Sequence, residues 1–342
     1  MLHTDEIAAT GRFLRSSQLA NGLIPWFSGG HVDPWNHLEA SLGLAIGGQG
    51  DAAIAALHAL ARLQNRDGSF CHYFLASGVK EPNRDTNVTS YIAVGLLGVM
   101  AFTPDFESEE LFTAVVGALD YLVALQRPDG SFPMMQRPDG TVFERSLLAG
   151  SCSILNALEA GGILAGYYEY ERPEWKIASS ALAEYLSGDR VGVLDKSDWA
   201  MDWYYPALSG LWRYEGRPNG LASLFAAADD FFTEGLGVRC IASRPWYTAA
   251  ETAEAAMAFA LGGAPETASR VLGTTTRFRR SDGSYFTGLV HPEGASYPGG
   301  EASTYTAAAI LIANDLVVDP LGTSLAGHLG ARLEGRRNSA HY

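Results

Sequence analysis

The stretch ALARLQNRDGSF at residues 59–70 ends a helical segment, turns at an Asp-Gly pair and continues into an aromatic residue. The same phrase returns as YLVALQRPDGSF at 121–132 and, more weakly, as TTTRFRRSDGSYF at 274–286. Because glycine readily adopts the left-handed conformation that ends helices, we interpret the three Asp-Gly pairs as helix stops. A phrase that repeats in this way is typical of helical-repeat architectures.

Two kinds of helix alternate along the chain. Segments that mix apolar and charged residues at helical spacing, as outer helices do, lie near 4–19, 51–65, 108–127, 174–187, 219–235 and 265–280. Segments that are small and apolar nearly all round, as fully covered helices are, lie near 35–47, 87–101, 146–165, 199–214, 247–262 and 303–317. Six outer and six inner helices in alternation predict an all-α fold of six helical hairpins, closed as an (α/α)6 toroid.

The composition fits one domain over residues 1–342. A hydrophobic content of 47% supports a large core, and no linker-like stretch divides the chain. The residues from about 325 to 342 are expected to be a peripheral tail. No amino-terminal apolar region is evident, and no apolar run approaches the ~18 residues that a membrane span needs. We therefore expect a cytoplasmic protein without membrane segments.

Charge and cysteine content argue against several kinds of binding partner and against stabilisation by disulfides or zinc. A formal net charge of −14 without a Lys/Arg cluster is unfavourable for binding nucleic acid or an anionic membrane. Cys71, Cys152 and Cys240 are too few and too widely spaced for a disulfide framework or a structural zinc site. We therefore expect that the three thiols are buried and reduced and that the protein binds no metal or cofactor.

The starts of the inner helices carry the unusual side chains, and in a toroid these ends converge on the mouth of the central cavity. Aromatic rings there would stack on sugar rings, while carboxylates and amides would hydrogen-bond sugar hydroxyls. The predicted substrate-binding residues are Trp35, His37, Asp85, Asn87, Trp199, Trp203, Tyr204, Trp246, Tyr247, Tyr285 and Glu301.

Three carboxyl groups are the catalytic candidates. Glycoside hydrolysis needs one protonated and one ionised carboxyl group. Glu251 lies in TAAETAEAA, where burial would raise its pKa and make it a general acid. Asp33 and Asp202 are both candidate bases, and the sequence leaves the choice between them open. Inversion, which needs carboxyl groups about 6.5–9.5 Å apart, is the expected stereochemistry.

Structural roles compete with these assignments. Asp33 could be a helix N-cap followed by Pro34 at the first helical position. Asp202 and Glu251 could be buried carboxylates held by backbone or Arg, and His37 could orient a carboxylate instead of contacting a ligand.

The sequence also resembles known families. The L-x-x-x-Q-x-x-D-G-S-[FY] phrases resemble the repeats of the squalene cyclase and protein prenyltransferase superfamily, which forms α/α toroids. The strings GGHVDPWNHLEA, DKSDWAMDWYYP, GLGVRCIASRPWYTAAETAE and RRSDGSYFTG are similar to actinobacterial prenyltransferase-like proteins, among them the methylmannose polysaccharide hydrolases. The similarity spans about residues 20–318. It implies endo-hydrolysis of α-1,4-linked, methylated mannose chains.

The prediction is thus an inverting endo-α-1,4-mannosidase that acts on an oligo- or polysaccharide, with a homodimer as one option. A terpenoid cyclase or prenyltransferase is the first alternative, but the D-x-D-D motif is absent, and Asp229-Asp230 matches a diphosphate-binding motif only with shifted spacing. A sugar epimerase would use His31 and His37. A non-catalytic carbohydrate-binding protein would keep its function in a Glu251→Gln variant.

Overall fold

The computed structural model describes residues 1–216 and 220–340. The first residue of the predicted helix 219–235 and the last two residues of the predicted domain and tail lie outside the described residues. Six inner helices form a closed ring in which each packs against the next and the last packs against the first. They are α2 (Pro34–Ile46), α4 (Thr86–Ser90) with α5 (Ile92–Phe102), α7 (Leu148–Tyr167), α9 (Ala200–Leu208), α12 (Ala249–Leu261) and α14 (Thr304–Val318). The predicted α/α toroid is confirmed.

The outer helices surround this ring and alternate with the inner helices along the chain. They are α1 (Thr4–Ser17), α3 (Gly50–Ala61), α6 (Glu109–Ala124), α8 (Pro173–Ser187), the short α10 (Leu221–Ala226) and α11 (Ala228–Phe231), and α13 (Pro265–Gly273). A 3-10 segment at Leu211–Arg213 follows inner helix α9, and another at Thr274–Phe278 follows α13.

The repeated phrase ties the end of an outer helix to the next outer helix, as the copy at 59–70 shows for α3 and α6. Gly68 has a φ of +90°, and a Cβ placed on it would lie 2.0 Å from the carbonyl oxygen of Gly117 in α6. Only glycine satisfies both the left-handed backbone and this close approach. The Gln64 side-chain amide donates hydrogen bonds to the carbonyls of Gly68 and Ala114, at 2.8 Å each, and thereby ties the turn to α6.

The same junction recurs around the ring. Gln126 donates to the carbonyls of Gly130 and of Ala178 in α8 in the same manner. In the weaker copy, Arg279 occupies the glutamine position and forms an ion pair with Glu6 of α1, which closes the ring between its last and first hairpins.

The sequence analysis missed a fourth copy of the phrase. Gln18 donates to the carbonyls of Gly22 and of Ala52 in α3, at 2.9 and 3.0 Å. Asn21 replaces the aspartate of the phrase, and its side-chain oxygen accepts a hydrogen bond from the Leu23 backbone N–H.

The hairpin between α8 and α12 departs most from prediction. Inner helix α9 ends at Leu208, because Pro206 removes a backbone donor and Gly210 adopts a φ of +67°. The outer segment expected as one helix over 219–235 breaks at Ala227, which leaves helical geometry. The second piece turns Phe231 inward, where its ring stacks on Trp203 at 5.2 Å.

The carboxy-terminal segment is not a peripheral tail. It forms α15 (Leu325–Ala340), which packs against α5 and α7. Leu325, Leu329 and Leu333 are buried, and His328 Nε2 lies 2.9 Å from Asp315 Oδ2 in α14. This helix therefore covers the ring beside the carboxy-terminal ends of α5 and α14, away from the inner-helix starts.

The loops that feed the inner helices contain short antiparallel strands that the sequence analysis did not predict. Strand β1 (Tyr73–Leu75) forms a hairpin with β2 (Gly78–Glu81), and β3 (Arg84–Asp85) pairs with β4 (Met135–Gln136), which is distant in sequence. A five-stranded sheet runs in the order β5 (Phe232–Thr233), β6 (Gly237–Arg239), β7 (Trp246–Thr248), β8 (Gly288–Val290) and β9 (Ser296–Tyr297). Strand β7 leads directly into α12 and thus positions its first turn.

Helix α7 is long and apolar enough to cross a membrane by length and composition, which the sequence analysis overlooked. In the toroid, 78% of its most apolar window is buried inside the protein, as expected of an inner helix. Cys71, Cys152 and Cys240 are all buried and unpaired, as predicted.

Candidate active site

A cavity of about 410 Å³, here called the central cavity, opens at the starts of α2, α9, α12 and α14. Aromatic, acidic and small polar side chains line it together. The lining residues are Trp26, Phe27, Asp33, Trp35, Asn36, Trp199, Met201, Cys240, Thr248, Glu251, Thr287, Tyr297, Pro298, Glu301, Ser303 and Tyr305.

Asp33 is fixed at the start of α2. Its preceding residue, Val32, forms an antiparallel bridge with Phe74, and Asp33 Oδ1 accepts hydrogen bonds from the backbone N–H groups of Trp35 at 2.8 Å and Asn36 at 3.4 Å. Burial raises the pKa of Asp33 to about 6, although the nearby charge of His72 and these hydrogen bonds lower it. Asp33 is therefore both the N-cap of α2 and an ionisable wall of the cavity.

Glu251 lies in the first turn of α12, directly after strand β7. Its Oε2 is shielded from solvent and accepts no hydrogen bond from any described residue. Burial raises the pKa of Glu251, and the Thr248 hydroxyl offsets part of this rise. A carboxyl group in this environment favours its protonated form.

The central cavity contains buried polar atoms without partners among the described residues. They are Trp26 Nε1, Trp35 Nε1, Asn36 Oδ1, Thr248 Oγ1 and Glu251 Oε2. Leaving such atoms unpaired costs about 1–3 kcal/mol each, so native proteins leave few of them. Two indole donors, an amide oxygen, a hydroxyl and a carboxyl group around one cavity match a ligand with many hydroxyl groups.

A second pair of carboxyl groups lies beneath the first in the ring. Glu39 of α2 accepts a hydrogen bond from the Tyr91 hydroxyl at 3.2 Å, and Glu254 of α12 accepts hydrogen bonds from Tyr204 and Tyr205. Burial and the charge of Glu251 raise the pKa of Glu254 to about 8. Burial and the charge of Glu254 raise the pKa of Glu39 well above its usual range.

A continuous row of rings runs beside Asp33 across the mouth of the toroid. His72 stacks on Tyr73 at 4.0 Å, Tyr73 contacts His31 at 4.4 Å, and His31 contacts Trp26 at 4.9 Å. Trp26 in turn lies 5.3 Å from Tyr305 of α14. This row joins the first hairpin to the last and forms an aromatic edge of the cavity.

The structure brings five of the predicted site residues to the central cavity: Asp33, Trp35, Trp199, Glu251 and Glu301. Three others support it indirectly. Asp85 caps α4, and its charge raises the pKa of Asp33. Tyr204 donates to Glu254, and Trp246 stacks at 4.5 Å on Tyr297, which lines the cavity.

Asp202 and Trp203 do not line the central cavity. Both face a separate space of about 510 Å³, here called the lateral cavity, at the starts of α7 and α9. Asp202 Oδ1 accepts a hydrogen bond from the Ala149 N–H at 3.1 Å, and Trp203 Nε1 donates to the Leu224 carbonyl. Of the two candidate bases, Asp33 is therefore the one that shares a cavity with Glu251.

Four further predicted residues lie away from the cavity. His37 is buried, receives a hydrogen bond from the Ile24 N–H at Nδ1 and contacts the Ala56 carbonyl through Nε2. Burial lowers its pKa to about 4, so it is a neutral core residue. Tyr247 contacts Thr233 and Arg239 through its hydroxyl. Tyr285 borders a different cavity, between α1, α13 and α14. Asn87 lines a small void of about 10 Å³.

The sequence analysis missed several lining residues, although a signal for some of them existed. Trp26, Phe27 and Tyr305 belong to the same inner-helix starts that supplied the chosen candidates. Glu39 and Glu254 are charges inside otherwise apolar inner helices, which marks them as unusual. Met201 and Cys240 carried no signal, because apolar residues at these positions look like core.

The residues that line the central cavity also argue against the alternative functions, a terpenoid enzyme and a sugar epimerase. The unpaired polar atoms do not fit the apolar cavity that a terpenoid enzyme needs, and Asp229 and Asp230 are exposed on α11. An epimerase that uses His31 and His37 would lack the second imidazole, because His37 is held in the core. Among residues 1–216 and 220–340, no group of three or more His, Cys, Asp or Glu side chains could hold a metal ion.

Comparisons with known proteins agree with this geometry. No protein-family model matches the sequence. The crystal structure of a D-mannose isomerase superposes with a TM-score of 0.74 at 12% identity and covers 93% of this chain and 97% of that one. A glycosidase in complex with glucose superposes with a TM-score of 0.66 at 18% identity over 93% and 99% of the two chains. At these identities, both likenesses show the fold alone.

A curated relative is much closer in sequence. The MMP endo-(1,4)-3-O-methyl-α-D-mannosidase of Mycolicibacterium hassiacum is 33% identical over 316 residues, which span 92% of this chain and 87% of the relative. The chain therefore belongs to the family of this endo-mannosidase, and it is a glycoside hydrolase, as its sequence predicted.

Proposed function

We propose that this glycoside hydrolase cuts α-1,4-linked mannose chains that carry 3-O-methyl groups, within the chain and with inversion. The observation that carries the proposal is the placement of Asp33 and Glu251 on two walls of one cavity. Asp33 accepts two backbone N–H hydrogen bonds, which favour a carboxylate, whereas Glu251 Oε2 accepts none from the described residues. The substrate follows from the relative, which is named for endo action on a 3-O-methyl-α-D-mannose polymer.

Glu251 is the proposed general acid. Burial raises its pKa and so favours the protonated form that a general acid needs. In the reaction it donates this proton to the glycosidic oxygen while the bond from that oxygen to the anomeric carbon breaks. Its unpaired Oε2 gives the departing oxygen a site to bind.

Asp33 is the proposed general base. With a pKa of about 6, it is mostly ionised at neutral pH and can take a proton from water as that water attacks the anomeric carbon. Helix α14 stands between α2 and α12 in the ring, and neighbouring helix axes lie ~8–10 Å apart. Two acids on such second-neighbour helices leave room for a sugar and a water between them, which favours inversion.

The rest of the cavity supplies sugar recognition. The indole N–H groups of Trp26 and Trp35 can donate to ring and hydroxyl oxygens, and the Asn36 carbonyl oxygen can accept from a hydroxyl. Phe27, Met201 and Pro298 add apolar surface against which sugar faces and methyl groups can pack.

Product analysis by mass spectrometry tests the proposal. Wild-type protein is incubated with α-1,4-linked manno- and gluco-oligosaccharides, methylated and unmethylated. Shorter products are expected from the methylated mannose chains, and proton NMR should show the β-anomer first. Glu251→Gln should lower the rate about 10²–10⁴-fold. The control Glu266→Gln changes an exposed carboxyl in the first turn of outer helix α13 and should cleave like wild type. Absence of cleavage by the wild type would refute the proposed substrate.

A further inference from the structure

The lateral cavity lies beside the central cavity on the same end of the toroid. At about 510 Å³ it is large enough to hold a ligand of its own. Its walls are the loop at 190–197, the first turns of α9 and the face of α10 and α11. The lateral cavity has no role in the acid–base chemistry described above.

One short segment, residues 196–203, separates the two cavities. Trp199 and Met201 face the central cavity, whereas Lys196, Ser197 and Trp203 face the lateral one. The segment is tied down, since the Ala200 N–H donates to the Cys240 carbonyl and the Ala242 N–H donates to the Asp198 carbonyl. Trp199 is 40% exposed, with the Lys196 ammonium 4.4 Å from its ring centroid, and forms the ridge between the cavities.

The lining of the lateral cavity suits a neutral, polyhydroxylated ligand. Trp203 stacks on Phe231 with an angle of 10° between the ring planes, which provides an aromatic floor. Side chains of both charge types stand around it: Arg190 and Lys196, and Asp195, Asp202 and Glu215. Hydrogen bonds from Ser197 to Asp195 lower the pKa of that carboxyl and fix the rim. A mixed rim favours neither an anion nor a cation.

We propose that the lateral cavity is a distal sugar-binding subsite that holds units of the same chain that is cut in the central cavity. The proposal rests on the proposed function, because it assumes a carbohydrate chain in the central cavity. A chain that leaves the central cavity over the exposed face of Trp199 reaches the lateral cavity directly. Binding at two linked places raises the affinity for long chains through effective concentration, without affecting chains too short to span both.

The test compares chain lengths. The ratio of kcat/KM for a long methylated mannose chain to kcat/KM for the shortest chain that is cut is measured in three proteins. Ser197→Trp places a large ring at the exposed rim of the lateral cavity and should lower this ratio about tenfold or more. Ser180→Trp, at an exposed position of α8 that lines neither cavity, is the matched control and should keep the wild-type ratio.

A second measurement covers the case in which Ser197→Trp does not fold. In the Glu251→Gln protein, hydrogen exchange of the loop at 190–197 should slow with the long chain and not with the short one. Equal ratios in wild type and Ser197→Trp, or equal exchange with both chains, would overturn the subsite. If the wild type cleaves neither chain, the proposed function itself fails, which is a distinguishable result.

Discussion

The central and lateral cavities are formed by similar sequence features but differ in their chemistry. Each lies at inner-helix starts, each contains tryptophan, and each has an aspartate at or near the start of an inner helix, Asp33 in one and Asp202 in the other. Asp33 is buried and shares its cavity with Glu251, whereas Asp202 is half-buried and binds the first turn of α7.

The difference shows that partners, more than residue type, decide the role of a carboxyl group. Among the described residues that line the central cavity, five buried polar side-chain atoms lack a partner, and a second layer of acids lies beneath it. Among the described residues that line the lateral cavity, no buried polar side-chain atom lacks a partner. The first cavity is arranged for tight, charge-sensitive binding, and the second for weaker contact.

The largest expected effect is on kcat/KM, and it distinguishes Asp33 and Glu251 from Asp202. Asp33→Asn and Glu251→Gln should each lower kcat/KM about 10²–10⁴-fold on a short methylated mannose chain, because each removes a proton-transfer group. Asp202→Asn should lower it less than about threefold and act mainly on stability, through its bond to the Ala149 N–H. A loss in Asp202→Asn as large as that in Asp33→Asn would erase the distinction between the cavities.

The buried Glu254 should couple stability to pH. Its pKa is raised to about 8, so the folded state holds this proton more tightly than the unfolded state does. The resulting stabilisation is present below the unfolded pKa, ~4.3, and is lost as pH rises through about 8. Glu254→Gln does not titrate, so its free energy of unfolding should rise relative to wild type by on the order of 3 kcal/mol between pH 5 and pH 9.

Urea unfolding of both proteins at these two pH values measures the effect. Glu266→Gln controls for the loss of one charge at the surface. A gap between Glu254→Gln and wild type that is the same at both pH values would show that Glu254 is ionised throughout.

The unpaired indole of Trp35 should contribute to ligand binding. Trp35→Phe keeps an aromatic ring and removes the N–H donor, so KM should rise about fivefold, which corresponds to one hydrogen bond of about 1 kcal/mol. Trp175→Phe is the control, because that indole donates to Asp120 between two outer helices and its loss should lower Tm without changing KM. An unchanged KM in Trp35→Phe would remove this donor from sugar recognition.

The smallest expected effect concerns the pH profile. The charge of His72 lowers the pKa of Asp33, so His72→Gln should raise it. Because the base must be ionised, activity falls as pH drops below the pKa of Asp33, and this acidic limb should move upward by about half a pH unit. His58→Gln, beside Glu110 on the outer surface, should leave the limb in place. A downward shift in His72→Gln would contradict the assigned base.

The sequence predicted the fold because the relevant chemistry is local and repeated. A left-handed glycine is readable in each copy. In the copies at 59–70 and 121–132, a glutamine four residues before the glycine makes the same contact with the next outer helix. The copy at 18–22 was missed because asparagine replaces aspartate there, although the contacts are the same. The short strands were not predicted for two reasons. Strands β3 and β7 pair with segments distant in sequence, and the other strands, of two to four residues, are too short to show an alternating pattern.

The site was predicted less completely, for a geometric reason. Sequence position places a residue at an inner-helix start, but the rotation of each helix decides which cavity it faces. Met201 and Asp202 are neighbours on α9 and face different cavities. The same rotation sends His37 into contact with α3, although it lies four residues from Asp33.

The most direct test of the account assigns the two roles within the central cavity. The Glu251→Gln and Asp33→Asn proteins are assayed on a methylated mannose chain whose leaving group is either a sugar or 2,4-dinitrophenolate, which needs no protonation. The account predicts that the activated leaving group restores most of the lost kcat in Glu251→Gln and little of it in Asp33→Asn. Recovery in Asp33→Asn instead, or equal recovery in both, would contradict Glu251 as the acid and Asp33 as the base.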